Sequence, residues 1–403
     1  METRSQNVGI DDSPSIYIGI DVGGTFTDLV VFNSNTMDTN VLKVSTTSQE
    51  PERAILQSLE EILDNPSKVA LINHATTIAT NALLTHAGLA KTALITNKGF
   101  RDVIEIGRQR RPEVYNLAVV RPPSLVSRKD RFVVGGRILS DGSELEPLNV
   151  KEAKALSKKI TREKFESVAI SFLNSYTNSK HEEKMERILR GDGKFGGHIS
   201  VSSKVDPQYR EYERTSTTVV NASLAPIVSS YLRNLKSQLE KKRFNCSLYI
   251  MNSDGNVSTS RSTSDHPISA IESGPAAGVL ASRFLAKVLS VEKVLTFDMG
   301  GTTAKAGTIV NYEPDIAYEF EAAGKTHSGR SVKGSGYPVR FPFIDLAEVS
   351  AGGGTIAFVD EGGGLRVGPQ SAGAVPGPAC YGSGGTLPTV TDANVILGRL
   401  LLL

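Results

Sequence analysis

Tryptophan is absent from this chain, and only two of its 403 residues are cysteines, Cys246 and Cys380. Two thiols cannot build a disulfide framework and suit a reducing compartment. An excess of one charge is lacking too. Lys and Arg number 45 against 43 Asp and Glu, a formal +2, which is too little to draw the chain to nucleic acid or a membrane surface. No run approaches the ~18 apolar residues of a membrane span. Residues 1–14 lack the apolar stretch of a secretory signal and read as a disordered tail. These absences point to a cytoplasmic protein without nucleic-acid or membrane partners. What remains is ordinary globular composition, 39% hydrophobic and 22% charged, with length for two or three domains.

The chain is organised around Tyr17-Ile-Gly-Ile-Asp21-Val-Gly-Gly-Thr25-Phe-Thr27-Asp28-Leu-Val-Val-Phe32. An apolar run, an aspartate, two glycines, hydroxyls and a second apolar run predict strand, tight turn and strand. Glycine lets backbone approach a phosphate closely. Gly23 and Gly24 are therefore expected to offer N–H groups, joined by the Thr25 and Thr27 hydroxyls. Asp21 beside them suits Mg²⁺, held through its water shell. Val294-Leu-Thr-Phe-Asp298-Met-Gly-Gly-Thr302-Thr303-Ala-Lys305 repeats the grammar, with Gly300 and Gly301 at the tip. Internal repetition of this kind is informative: two facing hairpins, each tipped by an aspartate, would grip a polyphosphate and its metal from both sides. Neither is a Walker A loop or a Rossmann turn, since those lead into a helix. Lys305 is either a further positive charge at the γ-phosphate or an outward lysine.

Elsewhere the pattern is α/β. Helical spacing over Glu52–Leu63, Glu152–Ile160 and Ser179–Leu189 alternates with strand-like runs at Lys91–Thr96 and Ser167–Leu173. A lobe boundary is expected near 205, giving lobes over 15–205 and 206–403. Pro226 should end one helix and begin the next. His74, Thr76, Thr77 and Asn81 follow the apolar run Val69–Ile72 and either open a helix or face a cleft. His74 is as readily a core histidine as a substrate contact. Arg108-Gln-Arg-Arg111 is a solvated cluster or serves an anionic substrate, because it lacks the interleaved aromatics of a nucleic-acid strand site. Twenty of the 37 glycines fall from residue 300 onward and read as loops and short hairpins presenting backbone at a site.

The duplicated hairpin resembles that of the actin, sugar-kinase and heat-shock ATPase superfamily. A longer ordered set sharpens the resemblance: Asp21–Asp28, His74–Leu83, Gly99–Asp102, Ser273–Gly278, Asp298–Thr302, Val367–Gly373, Pro376–Gly382 and Thr389–Asn394. Together these look like the hydantoinase A / 5-oxoprolinase family, which includes the acetone carboxylase β subunit. The resemblance implies a two-lobed, actin-like (ribonuclease H-like) α/β ATPase fold. The second lobe is expected to be incomplete, since similar proteins continue well past residue 403. It also implies ATP and Mg²⁺ as cofactors, and phosphorylation of the carbonyl oxygen of a cyclic amide or imide such as 5-oxoproline or a hydantoin, or of a ketone. Ring opening then calls for a hydantoinase B-like subunit or fused half, and a homo-oligomer is compatible with this.

On that reading Asp21 and Asp298 are catalytic and hold the metal. Gly23, Gly24, Thr25, Thr27, Gly300, Gly301, Thr302, Thr303 and Lys305 surround the phosphates. His74, Thr76, Thr77, Asn81 and Arg108 are substrate-side candidates. Two positions depart from the family pattern, Ala75 where similar proteins carry Gly and Val375 where they carry Asp. The alternative expectation is a non-catalytic remnant that binds nucleotide weakly or not at all.

Overall fold

The computed structural model describes residues 14–24, 26–46, 51–119, 121–301, 303–327, 330–349, 351–373 and 375–401. The tail expected over 1–14 (Pro14 apart), Thr25 and Thr302 lie outside the described residues.

Strands β1 (Ile16–Val22) and β2 (Phe26–Asn33) form the first hairpin, and β3 (Asp38–Ser45) adds antiparallel to β2. Ile18, Ile20 and Val22 of β1 alternate into the core, as a half-buried strand requires. After α1 (Pro51–Ile62), β4 (Val69–Thr76) returns parallel to β1 and runs into α2 (Ile78–Thr85).

The chain then builds a second sheet from β5 (Thr92–Asn97), β6 (Arg131–Val134), β9 (Ser167–Ile170) and β10 (His198–Val201), all parallel in the order β10-β9-β5-β6. The short helix α3 (Val103–Ile106) precedes β6, and a small hairpin, β7 (Arg137–Ile138) and β8 (Glu144–Glu146), follows it. Helices α4 (Val150–Arg162) and α5 (Lys180–Arg190) pack Ile160 and Leu189 against Ile95 and Ile170 of this sheet.

After α6 (Ser202–Val205), a single helix, α7 (Glu211–Lys241), runs without interruption through Pro226. The expected break does not occur. Leu224, Ala225, Val228 and Leu232 are all buried around the proline, and that burial offsets the ~3 kcal/mol such a residue costs inside a helix. Strand β11 (Ser247–Met251) then pairs parallel to β4, and β12 (Val257–Thr259) pairs with β11. The first sheet therefore reads β12-β11-β4-β1-β2-β3. Its five strands from β3 to β11 follow the ribonuclease H-like plan, with β2 alone reversed. Two strands of this sheet come from beyond residue 205, so the sheet crosses the boundary expected there.

After α8 (Ser260–Asp265), which packs on α7, the helix α9 (Ser273–Val288) packs on the second hairpin, formed by β13 (Lys293–Met299) and β14 (Ala304–Val310). The far edge of β14 takes Leu346–Val349 and Glu313–Pro314. Strand β13 has no second neighbour among the described residues, and Leu295, Phe297 and Met299 stand exposed on it. Past residue 350 a hairpin of Thr355–Val359 and Leu365–Ser371 leads to α10 (Val390–Ile396).

Candidate functional site

One hydrogen bond closes both glycine turns. The Gly23 amide donates to the Phe26 carbonyl at 3.0 Å, and the Gly300 amide donates to the Thr303 carbonyl at 2.9 Å. These two amides are thus committed to the turns, and Gly24 and Gly301 occupy the tips. Across each hairpin the aspartate faces a charged residue, Asp21 opposite Asp28 and Asp298 opposite Lys305. The glycine-rich run fastens the second tip from behind: Gly353 and Gly354 donate to the carbonyls of Gly300 and Gly301 at 2.9 and 2.7 Å.

Asp21 is half-buried, and its Oδ1 is fully covered without a hydrogen-bond partner. Burial raises its pKa to about 6, the charges of Asp28 and Asp298 push in the same direction, and Lys43 opposes them. The two acidic tips therefore lie within electrostatic reach of each other. The first turn of α9 packs directly on Asp21: a Cβ added at Gly274 would stand 2.8 Å from Oδ1. Ser273 staples that turn to the end of β4, accepting from the Thr76 amide at 3.2 Å and donating to its carbonyl at 3.3 Å. Phe26 meets Tyr381 edge-on with centroids 5.7 Å apart, so the first hairpin touches the glycine-rich segment.

The remaining candidates fall into different places. Thr27 is buried and shares a 2.9 Å hydrogen bond with Thr46, whose hydroxyl donates to the Gly23 carbonyl at 3.0 Å. It braces the turn from within rather than offering a hydroxyl to a phosphate. Thr77 and Asn81 lie beside the stem of the first hairpin, with Asn81 donating to the Thr77 hydroxyl and that hydroxyl to the Val22 carbonyl, both at 3.2 Å. The Thr76 side chain is buried. Ala75, at the position where a glycine was expected, lies in register with Asp21.

His74 is sealed in the core, 2.8 Å from the Tyr231 hydroxyl, and burial pushes it down to about 4, so it stays neutral. Of its two expected roles the structure displays the core one. Lys305 pairs with Glu272, which adopts a left-handed backbone (φ 63°) just before α9. Arg108 pairs with Glu213 at 2.5 Å in a cavity that neither hairpin lines.

Lys43 escaped the sequence reading, and Gly274, which entered it only within the ordered set Ser273–Gly278, proves to lie against Asp21. Lys43 could have been found only by laying β3 against β2, which sets it opposite Asp28, 2.7 Å away. For a metal, the described residues hold no group of three or more acidic, His or Cys ligands. Two carboxylates with an orphaned oxygen suit an ion that keeps much of its water, which is the habit of Mg²⁺.

The hydantoinase/oxoprolinase family pattern matches residues 214–401, and that of its N-terminal region matches residues 17–193. An uncharacterized protein of Methanocaldococcus jannaschii is 51% identical over 95% of this chain and 56% of its own length. Caprolactamase subunit alpha of Pseudomonas jessenii is 35% identical over 95% of this chain and 54% of its own, and 5-oxoprolinase 1 of Arabidopsis thaliana is 34% identical over 95% and 31%. The crystal structure of the ATP-dependent caprolactamase from Pseudomonas jessenii superposes with a TM-score of 0.77 at 32% identity, covering 95% of this chain and 55% of that one. Nucleotide-free acetone carboxylase gives 0.75 at 22% identity, over 96% and 55%, and so speaks to the actin-like α/β fold. The chain spans about half the length of the first two of these relatives and about a third of the plant enzyme.

Proposed function

The chain belongs to the hydantoinase/oxoprolinase family, and on that premise we propose that it is the ATP-binding part of an enzyme that opens a cyclic amide or imide. The observation that carries this reading is the covered, unpartnered Oδ1 of Asp21 within electrostatic reach of Asp298. An acidic pair between two glycine tips suits a nucleotide triphosphate with its cation. Asp21 and Asp298 would hold Mg²⁺, partly through water, and the ion would neutralise phosphate charge. Gly24, Thr25, Gly301, Thr302 and Thr303 would supply backbone and hydroxyl donors, while Gly23, Thr27 and Gly300 shape the turns that present them.

Phosphoryl transfer asks mainly for positioning and charge neutralisation. The terminal P–O bond of ATP breaks, a new one forms to the carbonyl oxygen of the ring, and ADP leaves. Amide resonance is thereby lost, so water can add to the carbon; the C–N bond then breaks with a proton delivered to nitrogen, and a second water hydrolyses the resulting acyl phosphate to carboxylate and inorganic phosphate. Subunit designations among the relatives, caprolactamase alpha and acetophenone carboxylase gamma, support a second, hydantoinase B-like chain or half for that hydrolytic step. Titration of the folded chain with ATP, with and without Mg²⁺, tests the reading, followed by phosphate release with 5-oxoproline, hydantoin and caprolactam in parallel. Magnesium-dependent ATP binding, with release stimulated by one ring, is expected. Well-folded protein that binds no ATP would overturn it.

A further inference from the structure

A cavity of about 450 Å³ opens where the start of α7 meets the segment after α3 and the strand pair Phe320–Ala322 and Tyr337–Val339. None of its lining residues comes from either glycine hairpin. Its size is that of a small-molecule pocket rather than a macromolecular surface.

Its chemistry is two-sided. Arg108, Arg110, Arg121, Arg210 and Lys333 line it together with Glu213. Arg121 is spent on backbone, donating to the carbonyls of Glu105, Ile106 and Arg110. Arg110, Arg210 and Lys333 form no ion pair among the described residues. On the acidic side, Glu321 accepts from the amides of Gly334 and Gly336 at 3.0 and 3.2 Å, and Glu319 stands beside it in the wall. Glu213 differs from both. It is only 3% exposed, gives one oxygen to Arg108 at 2.5 Å, and leaves Oε2 buried with no partner. A buried acceptor without a donor is costly. The first turns of α7 lie along this wall through Tyr212, Glu213, Ser216, Val219 and Val220.

We propose that this cavity is a second ligand site, taking a small carboxylate that also carries an N–H donor, of the amino-acid or amide-carboxylate class. The N–H would satisfy Glu213 Oε2, and the carboxylate would lie between Arg110, Arg210 and Lys333. The assignment does not rest on the ATP reading, because the two sites share no residue.

Ligand-observed NMR titrations on the full chain without nucleotide test it. The probes are N-acetylglycine (both groups), acetate (the anion alone), N-methylacetamide (the N–H alone) and glutamate (an ammonium donor). N-acetylglycine or glutamate should bind at least about tenfold tighter than either single-group probe, as two charge-assisted contacts imply. Whichever of the two binds tighter identifies the donor as amide or ammonium. Arg110→Met, an exposed and structurally undemanding change, should weaken that binding about tenfold. Glu213→Gln should abolish the preference over acetate. Should Glu213→Gln fail to fold, Arg110→Met decides alone. Acetate binding as tightly as N-acetylglycine, unchanged affinity in Arg110→Met, or no binding by any probe would overturn the proposal.

Discussion

Replacing Asp21 by asparagine should make the metal-free protein more stable while removing its ATP chemistry. The native fold holds the Asp21 carboxyl at about 6 against an ordinary 3.8. The native state therefore binds this proton more tightly than the unfolded chain. Stability consequently falls as pH rises from about 4 to about 6, and the penalty is complete above that window. The shift corresponds to ~3 kcal/mol at ~1.4 kcal/mol per pKa unit, and partial solvent access to the residue trims this to about 1–3 kcal/mol. Asparagine keeps the shape without the charge. Thermal melts of both proteins, free of metal and nucleotide, should place Asp21→Asn several degrees higher at about pH 7.5 and level with wild type near pH 4. Adding Mg²⁺ and ATP should close the gap from the wild-type side only, because only a charged Asp21 gains from the ion. A variant that melts at or below wild type at neutral pH, or a gap of equal size at both pH values, would refute the idea that ionised Asp21 is held at a cost for a cation.

Asp298→Ala, an exposed change, should leave the melt in place and lower ATP hydrolysis at least about a hundredfold; unchanged turnover would remove Asp298 from the site. Gly274→Ala should cost about 1–3 kcal/mol in urea unfolding by driving a methyl into Asp21 Oδ1, and Asp21→Gly in the same chain should restore the loss. Arg340→Met should cost about 3–5 kcal/mol, since it strands the buried Asp206 that Arg340 holds at 2.8 Å; the double variant with Asp206→Asn should recover part of this. Tyr231→Phe should destabilise the fold by about 1–3 kcal/mol through the unpartnered His74 and leave the ATP dissociation constant alone, whereas weakened ATP binding would return His74 to the site.

The sequence disclosed the site's two tips well because their signals are local. Apolar run, aspartate and paired glycine specify strand and turn wherever they occur, and the matching closing bonds of Gly23 and Gly300 follow from that shared grammar. What stayed hidden depends on distant partners. The place of β11 beside β4 joins residues far apart in the chain, and no local periodicity records a parallel pairing of that kind. Pro226 misled because a rule for isolated helices meets a helix buried over most of its length. Thr27 looked like a phosphate donor until the return of the chain past Thr46 took its hydroxyl. His74 and Lys305 each carried two open roles, and the neighbours that sort them, Tyr231 and Glu272, stand elsewhere in the sequence.

The bare flank of β13 has a mechanical consequence. Among the described residues Asp298 rides on a strand paired along one margin, to β14, which leaves the backbone groups of the other margin open to a further strand. An extended segment that pairs along that open margin would stiffen the aim of Asp298, while Leu295, Phe297 and Met299, alternating onto one face of the strand, would be covered by an element packed on that face. Catalytic alignment and assembly would then be a single event, and the reach between the two acidic tips would tighten only when the sheet gains its next strand.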